Sequence, residues 1–148
     1  MESKTTYKVF RFENEVCWKS GLHGTSCAPG KPDLEISNPP EFKGEGNAWS
    51  AEEMFVGSVN ACTFMTFLAY ARHKSLPLVS YESDADGVLD HTEGKWRFTE
   101  ITLRPHIRVK SKEDIEAART IIEDAHADCF ITHSLSLPVK IFPEIRVA

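Results

Sequence analysis

Between Ser50 and Pro77 the chain carries a run that suits a helix and has almost no polar side. Met54, Phe55, Val56, Val59, Cys62, Phe64, Met65, Phe67 and Leu68 fall on nearly every side of a helical wheel. Ser50 predicts the cap, and Glu53, three residues on, completes a capping-box pattern. Pro77 sets the limit, with a helix end expected near His73. A helix that is apolar all round has to be buried all round. A chain of 148 residues fits one domain, 1–148, which has little material with which to wrap such a helix. A second copy of the chain is therefore expected to supply part of the cover. Gly57, Ser58, Asn60, Thr63 and Thr66 interrupt the run, which reads as a buried helix and not a membrane span.

The flanking sequence fills in the class. Tyr7–Phe12 alternates as a half-buried strand does, Val16–Lys19 predicts a second strand and Leu34–Ile36 a short third. Leu78–Leu89 and Trp96–Val109 predict long strands joined by a hairpin turn at His91–Gly94. Pro105 predicts an edge or a bulge in its neighbourhood. Ser111–Asp114 opens a second helix whose stripe of Ile115, Ala118, Ile122, Ala125 and Cys129 steps by threes and fours, placing Cys129 at the helix end on the core face. Val139–Val147 predicts one closing strand. The order of strands, helix, long strands, helix and strand is that of an α+β domain.

The net charge of −5 gives a nucleic-acid partner no basic surface. The N-terminus lacks the basic start and apolar stretch of a leader, so a cytoplasmic location without a membrane partner is expected. There the four cysteines should rest reduced, and a disulfide would be catalytic before it was structural. Their positions, 17, 27, 62 and 129, contain no CxxC. His126, Cys129 and His133 form an H-x-x-C-x-x-x-H pattern that matches no standard metal site. Phosphate-cradling glycine motifs, HExxH and GxSxG do not occur, so no cofactor and no metal are expected.

Chemistry then rests on sulfur. A free cysteine in a core packs as a small hydrophobe, and Cys17 and Cys27 read as structural or incidental. Cys62 and Cys129 lie on the core faces of two different helices and can meet in space while far apart in sequence. A thiolate attacks the O–O bond of a peroxide to give an alcohol and a sulfenic acid. A second cysteine within reach condenses with that acid to a disulfide, and an external thiol restores the pair. Glu52 opens the helix that carries Cys62. Ten residues apart, the two are separated by roughly 15 Å of helix rise, so contact within one helix is excluded.

The run Pro40-Glu41-Phe42, the glycine-rich loop after it and Ser50–Cys62 resemble the OsmC/Ohr family (osmotically inducible and organic-hydroperoxide-resistance proteins). His126–Cys129, Ser134-Leu135 and Pro138-Val139 are similar to its second cysteine region, and the likeness runs along nearly the whole chain. The resemblance implies an intertwined homodimer of two curved antiparallel sheets around central helices, with active sites at the interface. It implies that Cys62 attacks the peroxide, Cys129 resolves the sulfenic acid and Glu52 orients an arginine. It further implies an organic hydroperoxide as substrate and a small dithiol of the lipoyl type as reductant. The arginine would come from the segment near Cys17–Thr25, which holds only Lys19 and His23 as cations. Ala51 and Phe130 stand where the family often has proline. These differences point toward a less characterised branch. Two functions follow as expectations: a thiol-dependent peroxidase, or a non-enzymatic dimer holding an apolar small molecule beside Phe55, Phe64 and Met65.

Overall fold

A computed structural model describes residues 6–148; Met1–Thr5, on which the expected lack of a leader partly rests, lie outside the described residues. The chain forms two units, one up to Glu52 and one from Glu53 onward. In the first, β1 (Glu15–Ser20), β2 (His23–Cys27) and β3 (Leu34–Ser37) pair antiparallel in sequence order. Central β2 buries Gly24, Thr25 and Ser26, while β1 is exposed along its whole length. The strand expected at Tyr7–Phe12 is not formed, and Phe12 is 94% exposed. Alternation gives a segment two faces, but a ladder also needs a second backbone. Among the described residues this segment finds none.

The second unit is built on a long hairpin. After α1 (Ala51–His73) come β4 (Leu78–Thr92) and β5 (Lys95–Val109). Glu93 and Gly94 make the turn, both with left-handed backbone (φ 52° and 77°), as a tight two-residue hairpin requires. Then follow α2 (Ile115–Ala127), the single turn α3 (Phe130–His133), β6 (Val139–Ile141) and β7 (Glu144–Val147). The capping box of Ser111 and Asp114 forms as its sequence predicts.

Two expectations about proline need correction, and the corrections share a cause. Pro105 is buried in the central strand, not at an edge. The expected closing strand is two strands, β6 and β7, both parallel to β5. The registers Ile101↔Val139 and His106↔Glu144 put Pro105 level with Pro143, where β6 has ended and β7 not begun. Each proline lacks a backbone donor, and the ladder tolerates both by breaking at one place.

Helix α1 buries a single seam, Val59, Thr63, Phe67 and Ala71, at steps of four. Phe67 and Ala71 join Ile107, Val109 and the α2 residues Ala118, Ile121, Ile122 and Ala125 in one cluster; Val59 packs with Ile101 and Leu103. Close approach of α1 to β4 depends on Gly87, where a Cβ would sit 2.8 Å from Val56 Cγ2. By length and composition α1 could also cross a membrane, and it is the one such helix among the described residues. Its apolar far side is left open, with Met65 59% exposed.

Candidate active site

Cys62 stands in the middle of α1, one residue before the buried Thr63. Cys129 lies beyond the end of α2, not on it, and starts α3 as its N-cap. The backbone N–H of Thr132 donates to Cys129 Sγ at 3.5 Å. The core that clamps α1 against the sheet, and the short break between α2 and α3, bring the two thiols together. The Cys62 sulfhydryl is hydrogen-bonded to the Cys129 sulfur, and both residues are free thiols.

The two sulfurs differ in exposure. Cys129 is 0% exposed, whereas Cys62 is only half-buried. They differ also in proton affinity. Burial pushes the Cys62 thiol up; backbone N–H groups of Ile131 and Phe130 pull the other way, but donation to Cys129 adds to the rise and the net direction is upward. Burial works on Cys129 in the same sense. There the Thr132 N–H and the neighbouring side chains of Thr132, Cys62 and Thr63 together outweigh it, and the Cys129 thiol falls below its ordinary value. Of the two, the reachable sulfur holds its proton the more tightly and the buried sulfur gives it up the more readily.

The other expected residues are placed as follows. Glu52 is in the first turn of α1, half-buried, with the helix rise of roughly 15 Å between it and Cys62. In the N-terminal unit, Lys19 pairs with Glu35 at 2.7 Å, and His23 Nε2 lies 3.3 Å from Glu45, so a carboxylate already faces each side chain. His126 is held by the backbone of Val139, and burial lowers its affinity for a proton. The His133 ring meets the Ala127 carbonyl at 2.5 Å. Among the described residues no group of three His, Cys, Asp or Glu side chains is placed to hold a metal ion. Of the three residues expected to line an apolar pocket, Phe55 stacks on Phe98 at 4.8 Å and Met65 faces outward. Phe64 does line one, a cleft of about 250 Å³ with Gly57, Asn60, Ala61, Tyr81 and Ser83.

Two site residues escape a reading of the sequence, Thr63 and Thr132. The signal for Thr63 was its place on the seam between Val59 and Phe67, where a polar side chain needs a reason. For Thr132 the signal was its position three residues after Cys129, the spacing at which a cap meets a backbone donor.

The family model described as OsmC-like protein matches residues 44–143. YmaD of Bacillus subtilis, an uncharacterised protein, is 25% identical over 115 residues, which are 76% of this chain and 77% of its own. An OsmC-like protein of unknown function from Vibrio cholerae shares the fold with a TM-score of 0.82 at 24% identity, over 93% of this chain and 100% of its own. A structure from Legionella pneumophila, described as an organic hydroperoxide resistance protein OsmC, gives 0.72 at 20% identity, over 95% and 100%. These likenesses speak for the α+β fold. With more than half of its length inside the family pattern, the chain belongs to the OsmC-like protein family.

Proposed function

We propose that the chain is a single-domain, cytoplasmic thiol peroxidase that reduces organic hydroperoxides. One observation carries the reading: a half-exposed sulfhydryl, Cys62, is hydrogen-bonded to a fully buried one, Cys129. A peroxide can reach only the first. As Cys62 sulfur attacks the terminal oxygen, its proton passes along the hydrogen bond to the Cys129 thiolate and on to the departing alkoxide. The products are a Cys62 sulfenic acid and an alcohol. Cys129 thiolate then attacks the Cys62 sulfur, the S–O bond breaks, the departing hydroxide takes a proton from solvent and leaves as water, and the disulfide forms. A small dithiol of the lipoyl type reduces it. The test is a single turnover. Reduced protein treated with one equivalent of cumene hydroperoxide should yield cumyl alcohol and a peptide pair linked Cys62 to Cys129. A rate no faster than that of free cysteine overturns the reading.

The same reading takes the working form as a homodimer. Tyr7, Val9, Phe10 and Phe12 alternate like a strand and lie exposed, and the outer side of α1 is apolar and open. An isologous pair would meet both needs. If the two α1 helices run antiparallel, Glu52 of one chain approaches Cys62 of the other. Sedimentation at micromolar concentration is the check: a clean monomer removes Glu52 from the mechanism.

A second reading has one observation in its favour. The cleft beside Phe64 holds three buried polar atoms without a hydrogen-bond partner: Asn60 Oδ1, Tyr81 OH and Ser83 Oγ. Burial has driven the Tyr81 phenol up to about 12. A small, largely apolar molecule with one polar end would satisfy them, and the chain would then be a carrier. Peroxide-inert thiols together with a co-purifying ligand select this reading.

A further inference from the structure

The cleft beside Phe64 is built by α1 and β4. Gly57, Asn60, Ala61 and Phe64 come from the helix, Tyr81 and Ser83 from the strand. Asn60 and Phe64 stand two residues to either side of Cys62, each about 200° round the helix from it, so the cleft opens on the other flank of α1. Two of its features are out of place in a finished core. The first is polar: Asn60 Oδ1, Tyr81 OH and Ser83 Oγ are buried and reach no hydrogen-bond partner. Each such atom costs free energy, and here three of them share one cleft. The second is Gly57. A glycine inside a helix is less stable than an alanine, and no neighbour demands this one, because a Cβ there would meet nothing within 4 Å. The chain leaves open a floor that a methyl group would fill without strain.

We propose that this cleft binds a small neutral molecule by a hydroxyl group, with the ligand's apolar body laid against the rings of Phe64 and Tyr81. The head group follows from the donors and acceptors on offer. The Asn60 amide nitrogen donates to the Ser83 carbonyl at 3.1 Å, which leaves Oδ1 as an acceptor in want of a donor. The hydroxyls of Tyr81 and Ser83 can each donate or accept. A single ligand hydroxyl, with one donor and two lone pairs, answers all three: it donates to Asn60 and accepts from Tyr81 and Ser83. A carboxylate cannot donate, and no cation lines the cleft to offset its charge. An ammonium accepts from neither hydroxyl and finds no carboxylate among the lining residues. The Phe64 and Tyr81 rings, with centroids 4.8 Å apart, supply the apolar wall. The volume of about 250 Å³ equals that of about eight water molecules in the liquid, which bounds the ligand at roughly eight to ten non-hydrogen atoms. The assignment rests on the carrier reading for the presence of an occupant, names its head group, and asks nothing of the thiols.

Two measurements on the full chain test it. In the first, isotope-labelled protein is titrated with benzyl alcohol, benzyl methyl ether and phenylacetate, and the side-chain amide resonances of Asn60 are followed. Benzyl alcohol should shift them saturably. The ether, which cannot donate, and the charged acid should each bind about tenfold more weakly or worse. Gly57→Ala should abolish the shift by filling the floor, and Tyr81→Phe should weaken it severalfold. The second measurement is the unfolding temperature without ligand. Gly57→Ala should hold or raise it, and so should Tyr81→Phe, because each removes a cost that only an occupant repays. A lower unfolding temperature in Tyr81→Phe means that the hydroxyl already has a partner and overturns the inference. So does the lack of any saturable shift, as when a second copy of the chain closes the cleft. Binding of phenylacetate as tight as that of the alcohol keeps the carrier reading and overturns the neutral head group. Thiols that consume peroxide remove the carrier reading and leave the alcohol site standing if the titration shows it.

Discussion

The four cysteines of this chain form two neighbourhoods with different partners. In the helical unit, backbone N–H groups of Phe130, Ile131 and Thr132 face the two sulfurs, and the Cys62 sulfhydryl donates to Cys129. On the β1–β2 ladder, Cys17 stands opposite Thr25 and Cys27 opposite Glu15, two register positions apart on the same face. The donors there are the thiols themselves. Cys17 Sγ lies 3.7 Å from Glu15 Oε1, and Cys27 is hydrogen-bonded to the side chain of Asp33. A carboxylate that accepts from S–H holds the proton on sulfur, whereas a hydroxyl or amide that donates to sulfur drives it off. Cys27 holds its proton in this way, as Cys62 does by donating to Cys129, and Cys129 is the sulfur whose proton affinity falls. Exposure alone does not make a thiol reactive; the direction of its hydrogen bonds does.

The largest effect that could break this contrast is loss of turnover. Cys62→Ser should abolish consumption of cumene hydroperoxide with a dithiol. Cys129→Ser should allow one turnover, after which Cys62 goes on to the sulfinic acid because its partner is gone. Cys17→Ser and Cys27→Ser should stay within about twofold of the parent, since neither residue belongs to the Cys62–Cys129 pair. Peroxide consumption by each variant, with mass spectrometry of the spent protein, decides it. Equal loss from all four would mean that the cysteines matter for folding and that the two neighbourhoods do not differ in kind.

Next comes stability. The inner pair exists because α1 is clamped to the sheet, so loosening the clamp should release those thiols and leave the hairpin pair alone. Phe67 is 0% exposed and its ring lies 5.1 Å from that of Tyr81. Phe67→Ala should cost about 3–5 kcal/mol in chemical unfolding. Alkylation at sub-denaturing urea should then speed up at Cys129 and stay level at Cys17. If both accelerate together, the hairpin depends on the same core.

Much of this was legible before any coordinates. The α1 limits, the turn at Glu93 and Gly94, and the Ser111–Asp114 cap follow from local chemistry that tertiary contacts did not override. What failed depended on partners the sequence does not name. Tyr7–Phe12 has the alternation of a strand and no strand to pair with among the described residues. Pro105 looked like an edge residue because its sequence does not show Pro143 lying level with it at the break in the ladder. At the site, two cysteines on core faces suggested a meeting, and the structure brings their side chains together. Their polarity was not legible. It depends on the Thr132 N–H that meets Cys129 Sγ, a contact that exists only once α3 has formed beyond the end of α2.

The smallest expected effect is also the sharpest test of the rule drawn from the two pairs. The proton affinity of the Cys27 thiol is raised first by its hydrogen bond to Asp33, against an opposing hydrogen bond with Thr25. A raised value means less thiolate at neutral pH, hence slower alkylation. Asp33→Asn keeps the shape of the side chain but removes the charge that holds the proton and supplies an amide that can donate to sulfur. The Cys27 value should then fall, and its rate with iodoacetamide at pH 7.5 should rise severalfold, with the gain fading above about pH 9, where any cysteine is largely ionised. Lys19 interacts with Cys27 and Asp33 as well as Glu35, so removing the Asp33 charge also leaves that ammonium freer to favour the thiolate. Both consequences act in the same sense. A rate that stays flat at pH 7.5 while the hairpin remains folded would mean that solvent, not the carboxylate, sets the reactivity of Cys27. The comparison with Cys62 and Cys129 would then reduce to burial.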